Sequence, residues 1–231
     1  MASKLAQYLV EFSKFELTRP ISDKIRIAEI IAVILTGLGK FIIMDLLGWR
    51  FQFVIIAIVS WSLYIFFRYK KDKLVLKDWG FRVDNFSSVF KMVLPFVITS
   101  IMLCIIIGTI QDSINLTWHI IPILVTYPIW GTVQQFLTIG IVAGNLSTLN
   151  TIKLKKTIVI LITAVLFALV HYPSLWLMSG TFILALFYGY IYLKSKNLFV
   201  LGIIHGWLGA LFYYSVLNQD PFADVFLKLF N

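Results

Sequence analysis

The sequence predicts an all-α membrane protein with about seven transmembrane helices and one N-terminal helix in the membrane interface. Of its 231 residues, 60% are hydrophobic and only 13% are charged, whereas soluble domains carry about a quarter charged residues. The apolar residues fall in runs of membrane-spanning length, and the basic residues fall in short blocks between those runs. These observations exclude a soluble globular protein, and they connect the net charge of +9 with membrane topology rather than with nucleic acid.

The first 22 residues predict an amphipathic helix that lies in the membrane interface. Apolar residues from Leu5 to Leu17 recur near helical spacing, with the basic residues Lys4, Lys14 and Arg19 among and beside them, a pattern typical of interfacial helices. Pro20 ends this segment, and Ser22 and Asp23 are suited to begin the next helix. Residues 23–231 are expected to form a single membrane domain.

Seven later segments have the length and hydropathy of membrane spans, which need roughly 20 mostly apolar residues. The fourth contains Pro122, Pro128 and Gly131, which predict a kink or a broken first half. The connection 69–90 is expected to hold one short interfacial helix. The predicted spans are 27–46, 51–67, 91–110, 118–143, 157–177, 180–194 and 198–217.

The basic residues alternate between the two sides of this predicted topology. Seventeen of the 20 bases fall on one side, in the segments 4–26, 68–91, 153–156 and 194–196. Such a bias predicts a cytoplasmic N-terminus in the cell membrane, with the C-terminus on the opposite side. Glu29, Lys40 and Asp45 lie near the ends of the first span and are expected to reach the headgroup region.

Four polar side chains lie deeper in the apolar runs and are the candidate site residues. Gln134 and Gln135 stand about 15 residues from one end of their span, over 20 Å deep at about 1.5 Å per residue. His171 and His205 interrupt the fifth and seventh spans. Interhelical hydrogen bonding alone accounts for isolated polar groups of this kind, but four on three spans favour a shared polar pocket.

Glycines surround the second histidine. Gly202, Gly206 and Gly209 flank His205, and small residues let a neighbouring helix approach closely. Counted from the flanking lysines, His171 lies about 9 Å farther across the membrane than His205. Helix tilt or a kink near Gly131 must close that difference if the four residues share one pocket. A separation of more than about 10 Å between the imidazoles would be too long for a shared water.

At these residues the sequence resembles the CAAX protease and bacteriocin-processing family of membrane-embedded endopeptidases. The family pattern is Glu-Glu-x-x-x-Arg, then Phe-x-x-x-His, then His-x-x-x-Asn on successive helices. The second motif is intact from Phe167 to His171, and the context of the third runs from Gly189 to His205. The resemblance covers about 118–217 and implies a helical bundle that cleaves membrane-associated or prenylated peptides.

The chain departs from the family pattern at every charged position. Gln134 and Gln135 stand where the family has paired glutamates, Ile139 replaces its arginine, and Gly209 replaces its asparagine. Loss of the arginine together with the acids is coherent, because an unpaired charge inside the membrane is costly.

In the family the first glutamate and the histidines activate a water, and the asparagine stabilises the oxyanion. An amide has no such acid–base role, and loss of an oxyanion donor costs about 10²–10³ in rate. No cofactor is predicted. A divalent metal held by His171 and His205 would need a further ligand, since catalytic zinc prefers three protein ligands.

Three functions follow as hypotheses. In the first, a catalytically impaired relative binds a hydrophobic or lipidated peptide, a lipid-linked group or a membrane-protein partner in the cavity. In the second, the chain is still an endopeptidase that uses His171 or His205 as base, with Gln134 positioning water. A transporter is the third, although the chain lacks a repeat signature.

Overall fold

The computed structural model of the protein describes residues 21–225 and residue 227. Within these residues the chain forms nine helices and no strand, and the predicted interfacial helix at 1–22 lies outside them except for its last two residues. The helices are α1 (Asp23–Leu46), α2 (Arg50–Lys71), α3 (Val75–Trp79), α4 (Phe86–Ile110), α5 (Ile120–Thr148), α6 (Lys156–Leu169), α7 (Leu175–Ser195), α8 (Leu198–Ser215) and α9 (Pro221–Val225).

Six of these helices are long and apolar enough to cross a membrane, namely α1, α2, α4, α5, α7 and α8. The predicted all-α polytopic fold is therefore confirmed. The short helix predicted in the connection 69–90 is α3, which ends at Gly80 in a left-handed conformation with φ of 94°. A Cβ at Gly80 would lie 3.0 Å from the backbone of Lys196, so this turn packs against the connection between α7 and α8.

The predicted extents of the fifth and sixth spans are wrong. The apolar run 157–177 is divided: α6 has only 14 residues, and α7 begins at Leu175 and has 21. Pro173 cannot donate the hydrogen bond that would continue α6, and the Ser174 hydroxyl accepts a hydrogen bond from the Leu177 N–H to begin α7. At about 1.5 Å per residue, α6 is about 21 Å long, shorter than a hydrocarbon core of about 30 Å.

Helix α5 is the centre of the bundle and is continuous through its two prolines. The predicted break in its first half is absent from this helix, and its irregular part comes later, as a π-helical stretch over Phe136–Ala143. Most of this stretch is buried, and Ile139 is fully buried. Such π-helical turns occur frequently at functional sites.

Polar contacts join alternate helix ends at the basic side of the bundle. The Asp23 carboxylate of α1 accepts hydrogen bonds from the backbone N–H groups of Asn150 and Thr151, just before α6. Asn197 caps α8 by accepting from the Val200 N–H, and its amide donates to the Asn85 side chain before α4. These contacts place the start of α1 beside the connection before α6, and the start of α8 beside the connection before α4.

The opposite side of the bundle is joined around Asp220, which follows α8. Its carboxylate contacts the His119 ring at 2.6 Å and accepts from Thr117, Tyr214 and the backbone N–H of Ala223. Burial acts to raise the pKa of Asp220, but these hydrogen bonds outweigh it and lower that pKa to about 2. The carboxylate thus holds the start of α5 and the end of α8 together.

Glu29 does not reach the headgroup region as expected, because it lies inside the bundle with only 4% of its surface exposed. Its carboxylate accepts hydrogen bonds from Tyr64 and Arg68 of α2 and, at 2.6 Å, from Asn145 of α5. The Arg68 guanidinium also lies over the Trp79 ring. This Glu29–Arg68 cluster joins three helices with a charge pair that is well supplied with partners.

Candidate functional site

The candidate site begins at the crossing of α5 and α8, where glycines allow the two backbones to touch. A Cβ added at Gly131 would lie 2.6 Å from the Gly202 carbonyl oxygen and 2.9 Å from the Gly206 nitrogen. Gly202 and Gly206 would likewise collide with the backbone of α5. The close approach predicted from these two glycines is confirmed, and it brings the middle of α5 beside His205.

Gln134 and His205 make a direct hydrogen bond across this crossing. The distance from His205 Nε2 to Gln134 Oε1 is 2.9 Å. The amide oxygen only accepts, so Nε2 carries the proton and Nδ1 of the same ring is an acceptor. His205 is 8% exposed, and its Nδ1 is buried without a partner among the described residues. A buried acceptor left unpaired costs about 1–3 kcal/mol.

His171 lies just past the end of α6 and is half-buried. Its Nδ1 is 2.7 Å from the Phe167 carbonyl oxygen one turn earlier. Because a carbonyl can only accept, Nδ1 carries the proton, and Nε2 presents a lone pair. His171 therefore has a fixed tautomer with a basic nitrogen that no described residue occupies.

Phe167 lies between the two histidines. Its ring centroid is 5.0 Å from that of His171 and 5.4 Å from that of His205. These two distances set an upper bound of 10.4 Å on the separation of the imidazole centroids, so a water shared by the two rings stays a prediction. Phe167 is 1% exposed, so the two rings meet at a buried aromatic surface rather than in open solvent. In the sequence, Phe167 is recognisable only as the first residue of the Phe-x-x-x-His motif, which indicates no contact with His205.

The environment of Gln135 differs from that of Gln134. It is fully buried, and neither its amide nitrogen nor its amide oxygen has a hydrogen-bond partner in the part of the chain that the structure describes. Ile139, one turn later, is also fully buried among apolar side chains. Gln135 and Ile139 stand at the positions where the family pattern has its second glutamate and its arginine. Among the described residues, the Gln135 amide has no partner at this place.

Gly209 leaves room for a side chain, unlike the other glycines of α8. The nearest heavy atom to a Cβ placed there is Cδ1 of Tyr127, at 4.0 Å, which is an ordinary van der Waals distance. The absence of the family's asparagine at this position therefore does not follow from steric exclusion.

Gln134, His171 and His205 offer hydrogen-bond donors and acceptors but no carboxylate. The acceptors are His171 Nε2 and His205 Nδ1, and the Gln134 amide nitrogen supplies two N–H donors. Among the described residues, no three His, Cys, Asp or Glu side chains cluster closely enough to hold a metal ion. Glu29 is already bound to Arg68, Tyr64 and Asn145 and supplies no carboxylate here.

An apolar groove lies beside the site, between α1, α5 and α6. Its volume is about 360 Å³, within the usual range for small-molecule sites. Its walls are α1 from Val33 to Phe41, Thr138 and Val142 of α5, α6 from Thr163 onward, and Tyr172. We call it the α1–α6 groove. Hydropathy gave no sign of it, because every wall residue is also a plausible lipid-facing residue.

Comparison with known families bears on this arrangement directly. Residues 113–211 match the sequence model of the family described as type II CAAX prenyl endopeptidase Rce1-like. This match supports the resemblance to the CAAX protease family that the sequence motifs indicate. The matched CAAX-protease segment runs from just before α5 into α8 and contains Gln134, Gln135, His171 and His205. Neither curated proteins nor solved structures gave a match.

Proposed function

We propose that this chain is a catalytically impaired CAAX-protease relative that binds a peptide, a lipid-linked group or a membrane partner at the Gln134–His205 site. The observation that carries the proposal is the 2.9 Å hydrogen bond between His205 and an amide, where the family has a carboxylate. An amide neither takes nor gives a proton near neutral pH. The site therefore has no carboxylate that could serve as its general base.

The remaining chemistry of the site suits a peptide group. A backbone amide has one N–H donor and one carbonyl acceptor. His171 Nε2 or His205 Nδ1 would accept from the N–H, and the Gln134 amide would donate to the carbonyl. Burial strengthens such hydrogen bonds because water does not compete for them.

The proposed setting is the cell membrane, with the N-terminus in the cytoplasm. The described end of the bundle that carries Asp23, Asn85 and Asn197 contains the basic blocks, and basic residues favour the cytoplasmic side. A cysteine-accessibility experiment tests this orientation in a Cys104→Ala background. Cysteines placed at Lys71 and Asp112 should be labelled from opposite sides of the membrane, Lys71 from the cytoplasm.

Restoration of the family residues tests the proposal. The parent chain and a variant with Gln134→Glu, Gln135→Glu, Ile139→Arg and Gly209→Asn are purified and incubated with a prenylated peptide that carries a photo-crosslinker. We expect both proteins to crosslink to the peptide, and only the restored variant to release a cleaved product. The acids and the arginine are introduced together because Ile139→Arg alone would create an unpaired buried charge.

A single observation favours the alternative of a working peptidase, namely the free Nε2 lone pair of His171. A histidine in this state can act as a general base. Cleavage by the parent chain that disappears in His171→Ala would establish this alternative and overturn the impaired-enzyme proposal. Crosslinking by neither protein would remove the peptide as ligand.

A further inference from the structure

The α1–α6 groove has walls that fit a hydrocarbon chain. Its only hydroxyl-bearing wall residues besides Tyr172 are two threonines, and both hydroxyls donate to their own helices. Thr138 donates to the Gln134 carbonyl at 2.7 Å, and Thr163 donates to the Val159 carbonyl at 2.8 Å. Each threonine therefore contributes a methyl group rather than a polar group to the groove.

The groove has the length of one leaflet. From Val33 to Phe41 it follows nine residues of α1, whose eight steps of about 1.5 Å give a rise of about 12 Å. Half of a hydrocarbon core about 30 Å thick is about 15 Å. The groove ends near Lys40, toward the side of the bundle away from the basic blocks. Its dimensions thus match one lipid chain whose headgroup lies at that end.

An ion pair stands at this polar end. The Lys40 ammonium lies 4.5 Å from the centroid of the Phe41 ring and donates to the Tyr172 carbonyl at 3.2 Å. It also donates to Asp45 Oδ2 at 2.6 Å. An ammonium has three N–H donors, and among the described residues only these two acceptors are used. Asp45 Oδ1 accepts from no described residue.

This arrangement presents a positive and a negative group side by side at the mouth of an apolar groove. We propose that the groove holds one acyl chain of a membrane phospholipid with a zwitterionic ethanolamine headgroup. The headgroup phosphate accepts from the third N–H of Lys40, and its ammonium donates to Asp45. A lipid with a net negative headgroup is disfavoured, because Asp45 repels it as Lys40 attracts it.

The inference does not depend on the proposed function. The groove walls include none of the four candidate site residues, and lipid binding requires no proton transfer. Failure of one proposal therefore leaves the other untouched. Lipid retention is also measured without any peptide substrate.

The test is native mass spectrometry of the full chain, purified in a mild detergent and titrated with lipids of identical acyl chains. Phosphatidylethanolamine is compared with phosphatidylglycerol and phosphatidylcholine, whose quaternary ammonium has no N–H to donate to Asp45. We expect phosphatidylethanolamine to be retained at least about tenfold more strongly than either, the effect of one charge-assisted hydrogen bond.

Two variants with matched controls locate the lipid. Leu38→Trp fills the groove, whereas Leu35→Trp, on the same helix and 60% exposed, does not line it. Lys40→Met removes the cation at the groove, and Lys24→Met removes one at the other end of α1. We expect the first member of each pair to lose about tenfold in retention, and the second to bind as the parent does.

Asp45→Asn keeps the Lys40 side chain and addresses the headgroup alone. We expect it to abolish the preference for phosphatidylethanolamine over phosphatidylcholine while the chain remains folded. The proposal is overturned if phosphatidylglycerol is retained as well as phosphatidylethanolamine, if Leu38→Trp binds as the parent does, or if no lipid is retained over detergent.

Discussion

The close contact between α5 and α8 predicts different effects for two glycines of α8. Gly206 touches the backbone of α5, whereas Gly209 has room for a side chain. A Cβ at Gly206 would lie 2.5 Å from the Tyr127 carbonyl carbon and 2.6 Å from Pro128 Cα. Both are backbone atoms, so the helices must separate by about 1 Å to reach an ordinary contact. At Gly209 the nearest atom is already 4.0 Å away. Gly206→Ala should therefore destabilise the protein, and Gly209→Ala should not.

The expected change in the free energy of unfolding follows from packing and helix propensity. Overpacking of this kind costs about 1–3 kcal/mol, while replacement of a helical glycine by alanine returns up to about 1 kcal/mol in both variants. The two variants should therefore differ by about 1–3 kcal/mol, and each kcal/mol corresponds to about 2–4 °C in Tm at this chain length. Separation of the helices would also lengthen the bond between Gln134 and His205.

The assay uses the single cysteine of the chain. Cys104 is 7% exposed, so a thiol-reactive fluorescent dye reports its exposure as the purified protein is heated. We expect Gly206→Ala to unfold several degrees below the parent, and Gly209→Ala to unfold at the parent temperature or above it. Equal midpoints for the two variants would refute the close crossing of α5 and α8.

Thermal unfolding checks three further predictions, the first two with the same dye. Gln135→Leu should be neutral or stabilising, because it removes an unpartnered buried amide. Gln134→Leu should cost about 1–3 kcal/mol, because it leaves the buried N–H of His205 without an acceptor. The reverse order would contradict the hydrogen bonding described. Glu29→Ala should cost about 3–5 kcal/mol by leaving Arg68 buried without its acid, and a shift below 1 °C would show that the charge is solvated. Asp220→Asn is followed by circular dichroism instead, because a thiol is unreactive at low pH. It should lower Tm at pH 6, and the difference from the parent should shrink as the pH falls from about 4 to about 2, since a carboxyl with a lowered folded pKa loses its contribution there. A difference that persists at pH 2 would assign the effect to packing.

Most of the fold follows from hydropathy and charge, and the errors have identifiable causes. The division of the run 157–177 was missed because the residues on both sides of Pro173 are apolar, and apolar runs carry no mark of where one helix ends. The proline and the capping Ser174 were the available signals. They indicate that local stop signals should outweigh hydropathy when two spans follow each other closely.

Burial inside the bundle is the second feature that the sequence alone could not predict. Glu29 lies six residues after the start of α1 at Asp23, or nearly two helical turns. From this position alone, a side chain that reaches the headgroups is as plausible as one that points into the bundle. Its partners Arg68 and Asn145 come from helices 39 and 116 residues away, so only the three-dimensional arrangement shows the pairing. By contrast, the close approach at Gly202 and Gly206 was predictable, because the spacing of small residues is a local feature.

The residues of the candidate site were predictable from the sequence, but their hydrogen-bond partners were not. The motif order named Gln134, His171 and His205, yet the tautomers of both histidines depend on partners that no motif specifies. The carbonyl of Phe167 orients one ring, and the amide of Gln134 orients the other. The different environments of the two glutamines were likewise beyond a pattern that treats them as a pair.

The central claim is that this site binds without cleaving, and product formation by the parent chain tests it most directly. The parent and His171→Ala are each incubated in lipid vesicles with a prenylated peptide, and mass spectrometry records any shortened peptide over many hours. We expect the parent to form no more shortened peptide than the His171→Ala control. Product that accumulates with the parent and is absent with His171→Ala would contradict it.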